Sequence, residues 1–480
     1  MRRSLAILQL NDLHGYTRPH PELVRPEGTW TLTELGGLAR IAGLFAHVRG
    51  ETGGAVLALD NGDTFHGTHV AVDSRGHALV AMMNRLGLDA MTLHWEFAYT
   101  PAGVRDLGRR LAYPMLAINC YEQDGGGLAF QPFVMVDRAG LRIAVIGLAC
   151  PVVDATMPAH FSEGLRFTLG RDELPGWIRS VRRDAGADLV VVLSHLGLPQ
   201  DLKMAGEVDG IDVLLSGHTH NRLREPILVN DAIVIQAGCH GAFVGRLDVE
   251  VAGGRVVAHR YALLPVDDRW PEDAGMAALV TASAEGRSAE LCQVVGEVGE
   301  TLHRYAMFTS TMDDVLLEAI AEVAGVGVAF SNGWRYGAPI PPGPVTEEDL
   351  WSIVPTNPPV MTTTLTGAEL LAMLEENLER TFASDPFEQI GGYVKRVRGV
   401  RLYVKVENPR GHRIDRLFVA DRPVEPDDTF EVAFITEQGV PARFGQDRRS
   451  TGVDAVSALR KLFEARGTVA PPSEATFFVI

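Results

Sequence analysis

The chain has 480 residues, of which 46% are hydrophobic, and its 44 basic and 61 acidic side chains give a formal net charge of −17. That length is material for two or three domains, and the acidic balance excludes a generic nucleic-acid binder, whose phosphate contacts need clustered Lys and Arg. No apolar run approaches the roughly 18–20 residues of a transmembrane helix, so no membrane partner is expected.

The N-terminus reads MRRSLAILQLNDLHG. Its apolar stretch is about six residues, short of the roughly 7–15 of an export signal, and it is read as a first strand. Strands are further expected at 55–60, 89–93, 114–118, 189–194, 211–216 and 232–236, with 5–10 as the first. Helical spacing falls on 33–49, 76–86 and 101–111, and 130–136 with 141–147 reads as a hairpin. This alternation predicts an α/β first domain over 1–267 with mixed sheets. An Ala/Glu-rich stretch over 268–305 is expected to be a bridging helix. A second domain, 306–480, is expected to hold a helix over 310–323, a strand over 327–331 and a loop over 332–337. Thr366 with Glu369 forms a capping box opening an amphipathic helix to about 382, and strands follow near 400–406, 413–418 and 429–434. Glu375, Glu376 and Glu379 are read as that helix's solvated face. Four cysteines (Cys120, Cys150, Cys239, Cys292) are far apart with no CxxC. Reduced thiols and a cytoplasmic protein are expected.

Four strand-like runs end in metal-binding side chains: Asp12 and His14, Asp63, His195, and His218 with His220. Carboxyl ends of neighbouring strands in an α/β sheet converge on one crevice. Asp carboxylate and neutral His suit Mn, Fe, Co or Zn better than Ca or Mg. A two-metal site needs one shared carboxylate with further ligands on each side, and a metal-dependent hydrolase is the leading reading.

Asp12-Leu-His14-Gly15, Gly62-Asp63-Thr-Phe-His-Gly67, the lone His195 and Gly217-His218-Thr-His220 resemble the motifs of the calcineurin-like metallophosphoesterases, in particular the 5′-nucleotidase family. The resemblance spans nearly the whole chain. It implies a four-layer αββα domain followed by a smaller α+β substrate-binding domain. It also implies one metal on Asp12, His14, Asp63 and His220, and a second on Asp63, His195, His218 and a ligand from the family's third motif. Manganese is the first choice for both.

That third motif departs from the family's GNHEFD. The chain has Leu93-His94-Trp95-Glu96-Phe97-Ala98, so His94 stands at the Asn ligand while Trp95 and Ala98 stand at the His–Asp catalytic dyad. An imidazole can replace the amide as a ligand, but an indole only donates. His66 and His240, in motif loops, are candidate substitutes for the dyad. Glu96 is read as a residue that orients a ligating His. In the second domain, Asn332 and Arg335 sit where the family reads the substrate phosphate, and Phe387 is a candidate for stacking on a base. The resemblance therefore implies phosphate release from a small phosphomonoester such as a nucleotide. The HWEF segment is also similar to the SoxB-type thiosulfohydrolases, which act on a cysteine S-sulfonate. A metal-binding homologue with impaired catalysis is the other alternative.

Overall fold

Buried apolar runs in the first part of the chain pair into two sheets that share one core. The computed structural model describes every residue except 1, 26–27, 286–287 and 472–474. The chain divides into two compact units, Met1–Glu285 and Gly286–Ile480. No described helix is long and apolar enough to cross a membrane.

The two sheets of the first unit use β1 (Arg3–Leu10), β2 (Val56–Asp60), β3 (Ala90–Met91), β4 (Phe133–Arg138), β5 (Leu141–Leu148), β6 (Leu189–Ser194), β7 (Val213–Leu215), β8 (Ile227–Val229), β9 (Ala232–Ile235), β10 (Phe243–Ala252) and β11 (Arg255–Pro265). The first sheet runs β11-β10-β1-β2-β3 and the second β8-β9-β7-β6-β5-β4. The pairs β1–β2 and β2–β3 are parallel, as are β5–β6, β6–β7 and β7–β9. The parallel strands thus deliver their carboxyl ends along one edge of each sheet.

Side chains alternate across a strand. Leu5, Ile7, Leu57 and Leu59 of the first sheet therefore join Val145, Val191, Leu193, Leu215 and Ile235 of the second in one buried cluster. Ala6, Leu8 and Leu10, on the opposite face of β1, are also buried, as strands covered on both sides require. Helices Leu38–Glu51, His77–Leu86 and Ala274–Ser283 pack on one another, and Leu174–Arg183 packs on β6. The arrangement is the four-layer αββα sandwich.

Three local expectations are corrected. The helix expected over 33–49 begins only at Leu38, because Thr31–Gly36 pairs with Pro19–Val24 as a hairpin. Gly36 and Gly37 then turn the chain with φ of 84° and 95°, where a side chain is strained. Residues 114–118 make only isolated bridges, Met91 with Met115 and Leu116 with Gln131, since β3 offers two residues to pair with. The bridging helix expected over 268–305 is a helix at Ala274–Ser283, a short turn of helix at Ser288–Leu291 and a strand at Val294–Val298. Three valines in five residues favour the strand over the helix that Ala and Glu propose upstream.

The second unit is α+β. A five-stranded sheet contains Val328–Ser331, Thr429–Phe434 and Pro359–Thr366 as its inner strands. Helix Thr311–Ala324 is capped by Ser310, and helix Gly367–Phe382 by the Thr366–Glu369 capping box. Phe330, Leu370, Leu374, Leu378, Val432 and Phe434 lie in the core beneath. Glu375, expected on a solvated face, is instead buried and accepts from the backbone N–H groups of Arg413 and Ile414 at 3.1 and 2.7 Å. Glu379 pairs with the Arg413 guanidinium at 3.0 Å, so this helix face serves to dock the neighbouring strand.

Candidate metal centre

Each parallel strand end turns abruptly into a polar loop. Asp12, His14, Asp63, His218 and His220 all have positive φ, between 50° and 70°. Non-glycine residues are held in that region only where the surroundings over-determine them, typically at functional sites. Gly62 makes one such turn possible. A Cβ there would lie 2.7 Å from the Thr92 carbonyl oxygen, so only glycine lets the Asp63 loop approach the His94 loop.

The structure draws seven side chains into two overlapping clusters: Asp12, His14, Asp63 and His220; and Asp63, His94, His195 and His218. Asp63 belongs to both. Its Oδ2 lies 3.2 Å from His195 Nε2 and 3.6 Å from His14 Nε2, and its Oδ1 lies 3.0 Å from His94 Nδ1. Asp12 Oδ1 lies 3.2 Å from His220 Nε2, and the Nε2 atoms of His14 and His220 face each other at 3.2 Å. Asp12, His14, Asp63 and His195 are no more than 2% exposed.

The rings are pre-oriented. His14 Nδ1 is 3.1 Å from the His66 carbonyl and His195 Nδ1 is 2.6 Å from the Asn61 carbonyl. Each carbonyl accepts the Nδ1 proton, so Nε2 is the nitrogen turned toward the cluster, the usual arrangement behind a ligating imidazole. His195 Nε2 is buried with the Asp63 carboxylate 3.2 Å away. Carboxylate oxygens and ring nitrogens converging in a dry pocket repel one another unless protons or a cation lie between them. The donor set therefore fits two divalent transition ions sharing Asp63.

Electrostatics point the same way. Burial pushes the Asp63 carboxyl up, but His94 and His195 beside it outweigh burial and hold it well below the usual carboxylate range. Burial, helped by His220 and His240, outweighs the Asp63 and Asp12 carboxylates and takes His14 down to about 3, so it is the neutral ligand form. Burial also pushes His195 down, yet the Asp63 and Asp12 carboxylates raise it to about 9. Protons on such rings stand in for the missing positive charge, and an arriving cation must displace them. Metal affinity is accordingly expected to rise with pH through about 9, with protons released on binding. Calorimetry in buffers of different ionisation enthalpy checks this. A pH-independent affinity with no proton release would contradict it.

The third motif is built into the pocket by its backbone. The Trp95 N–H donates to Asp63 Oδ1 at 2.8 Å. The fully buried Glu96 accepts the N–H groups of His94 and Thr64, each at 2.8 Å, and so ties the His94 loop to the Asp63 loop. The Trp95 indole stacks on the His66 ring, centroids 4.8 Å apart. The His240 ring lies 6.0 Å from that of His14 and 6.1 Å from that of His220.

Asn61 and Gln9 carry the register between the two sheets, and the sequence alone did not single them out. Asn61 Nδ2 donates to the Ser194 and Leu215 carbonyls at 2.8 and 2.7 Å. Gln9 Nε2 donates to Asn61 Oδ1 and to the Ser216 carbonyl, both at 2.8 Å. These buried bonds pin the strand ends before Asp63 to those before His195 and His218, and with them the span between ligands. For Gln9 the one available signal was a lone polar residue within an apolar strand, a position that must find a partner; Asn61 lies just after β2 and offered none.

In the second unit, Asn332 is buried, with its amide engaged by Gln438 and Thr436, so it shapes its loop. Arg335 is half-buried, donates to the Gly392 carbonyl at 3.0 Å and lies over the Tyr393 ring at 5.1 Å. Phe387 is half-buried in the turn Pro386–Glu388 and stands outside the apolar core.

Residues 294–436 match the family model described as the 5′-nucleotidase C-terminal domain. The chain is 25% identical over 482 residues to the trifunctional nucleotide phosphoesterase YfkN of Bacillus subtilis, a match covering 85% of the chain but 32% of YfkN; it thus spans about a third of that relative's length. Among solved structures, the sulfate thiohydrolase SoxB of Thermus thermophilus superposes with a TM-score of 0.92 at 27% identity, covering 99% of this chain and 96% of that one. A 5′-nucleotidase precursor, also from Thermus thermophilus, superposes with a TM-score of 0.88 at 25% identity, covering 99% of both chains.

Proposed function

Because this chain belongs to the 5′-nucleotidase family of calcineurin-like phosphoesterases, we propose that it is a two-metal phosphomonoesterase releasing phosphate from nucleotides. The observation that carries the reading is the shared, buried Asp63 between two sets of further ligands. Asp12, His14 and His220 complete one set, and His94, His195 and His218 the other. Oxygen and nitrogen donors without sulfur suit Mn, Fe, Co or Zn, and manganese is the choice that the family resemblance implies. A pair of such ions supplies Lewis acidity toward the ester's oxygens and an acidified water as nucleophile.

The chain's own residues supply the rest. Asn61 and the His66 carbonyl fix the imidazole tautomers, and Glu96 fixes the His94 loop. His66 takes part of the role of the absent dyad. Burial lowers it to about 4, so it is a neutral N–H donor to a developing oxyanion and not an acid. Losing a proton-transferring helper costs about 10²–10⁴ in rate without abolishing catalysis. Arg335 offers its planar fork to the phosphate, and Phe387 stacks on the base. All four cysteines are free thiols, three of them buried, which supports a reducing cytoplasm where nucleotides abound.

Thiosulfonate hydrolysis is the second reading, favoured by His94-Trp95-Glu96-Phe97 and by the likeness to SoxB. Phosphate release from several nucleoside monophosphates with Mn²⁺ present separates the two. Release from at least one supports the nucleotidase reading. No release from any of them, alongside sulfate release from a cysteine S-sulfonate peptide, would overturn it. Turnover of neither would mark an impaired homologue.

Arg335→Ala is expected to lower kcat/KM for the nucleotide about 10–100-fold, the scale of about 1.5–3 kcal/mol for a hydrogen bond to a charged group. Its effect on a minimal aryl phosphate should be much smaller. Equal losses on both substrates would remove Arg335 from substrate recognition.

A further inference from the structure

A third set of donors lies outside the seven ligands of the dinuclear centre. The hairpin strand Pro19–Val24 carries Glu22, and the loop after β9 carries Cys239 and His240; all three are at most 1% exposed. Their donor atoms lie within 4.8 Å of one another. His240 Nδ1 is 3.5 Å from Cys239 Sγ and 3.5 Å from Glu22 Oε2.

The His240–Glu22 separation exceeds the roughly 2.7–3.2 Å of a normal N–H···O hydrogen bond, while the His240–Cys239 separation is that of a weak nitrogen–sulfur hydrogen bond. They match the edges of a tetrahedron around one zinc-sized ion, about 3.3–3.6 Å for metal–sulfur near 2.3 Å and metal–nitrogen or –oxygen near 2.0 Å. Glu22 is held in place from its other oxygen, with Oε1 2.9 Å from Arg222 Nη2 and 2.8 Å from the Leu23 N–H. The arginine offsets part of the negative charge that a carboxylate and a thiolate would bring together. His240 is held by the Tyr16 ring at 4.6 Å, and its carbonyl by His20 Nε2 at 3.0 Å.

We propose that Glu22, Cys239 and His240 form a third metal site, selective for a thiophilic ion of the zinc class. Binding releases the thiol proton to solvent as the sulfur becomes a thiolate ligand. Three protein donors leave the fourth tetrahedral position to water or an anion. The site fastens the Pro19–Val24 hairpin to the strand ends that carry the dinuclear ligands. Manganese, which prefers oxygen and nitrogen, fills the dinuclear centre alone; cobalt or zinc fills all three positions.

Titration of the metal-free chain with Co²⁺, followed by absorption and by elemental analysis, tests this. Three equivalents are expected, one of them with a thiolate-to-cobalt charge-transfer band in the near ultraviolet. Mn²⁺ should load two. Cys239→Ala should abolish the band and remove one equivalent, while Cys150→Ala, at the thiol beside His94, should leave the band intact. A wild-type chain that binds cobalt without a thiolate band, or a band that survives in Cys239→Ala, would overturn the proposal. Failure of the dinuclear reading would look different: one cobalt, with the band.

Discussion

Asp63→Asn is expected to be the most damaging single substitution in the chain. The carboxylate stands in both ligand clusters and lies within 3.2 Å of His94 and His195 ring nitrogens. An amide keeps the shape but removes the charge and leaves one oxygen where two ions need a shared anion. Outer-shell changes around metals typically cost about 10–100-fold in affinity or activity. Loss of a bridging ligand should exceed that range for both ions at once, with kcat/KM falling by more than about 100-fold. Elemental analysis of the variant beside the wild type checks it. Two tightly held ions in Asp63→Asn would show that the carboxylate is not the bridge.

His94 gives the second large effect, and its two variants should part company. His94→Ala removes a ring nitrogen 3.0 Å from Asp63 and should lose one ion selectively or weaken it about 10–100-fold. His94→Asn should retain both ions, because the amide oxygen can take the same place, as the family's own motif does. A merely structural His94 would give equal metal content and activity in the wild type and the alanine variant.

Much of the site was legible because each ligand motif follows a short run rich in Val, Ile, Leu or Ala. A histidine after VVVLS or VLLS, like an aspartate after LAILQL or VLALD, stands at a strand's carboxyl end. The departure at His94-Trp95 was legible for the same reason: it stands at a fixed place between strands. Asn61 and Gln9 were not, because a polar residue beside a ligand motif has no period, and only the second sheet's carbonyls reveal its partner. Glu22 was hidden further. Residues 31–36 carry a spacing that merges into the following helix, so the hairpin holding Glu22 left no separate signal. Glu375 shows the general limit. Helical spacing assigns a face, but whether that face meets water or a strand such as Ile414–Val419 is a tertiary fact. The long hairpin β10–β11 spans 10 and 11 residues; β10 alternates in burial, while the apolar residues of the outer strand fall on no period of two and left no signal.

A stepwise Mn²⁺ titration of the metal-free chain, with bound metal and phosphate release from a nucleoside monophosphate read at each step, tests the two-metal account most directly. The expected result is about two ions per chain, with activity appearing as the second site fills and disappearing with a chelator. One ion or none per chain at saturation, or full phosphate release in the presence of the chelator, would contradict it.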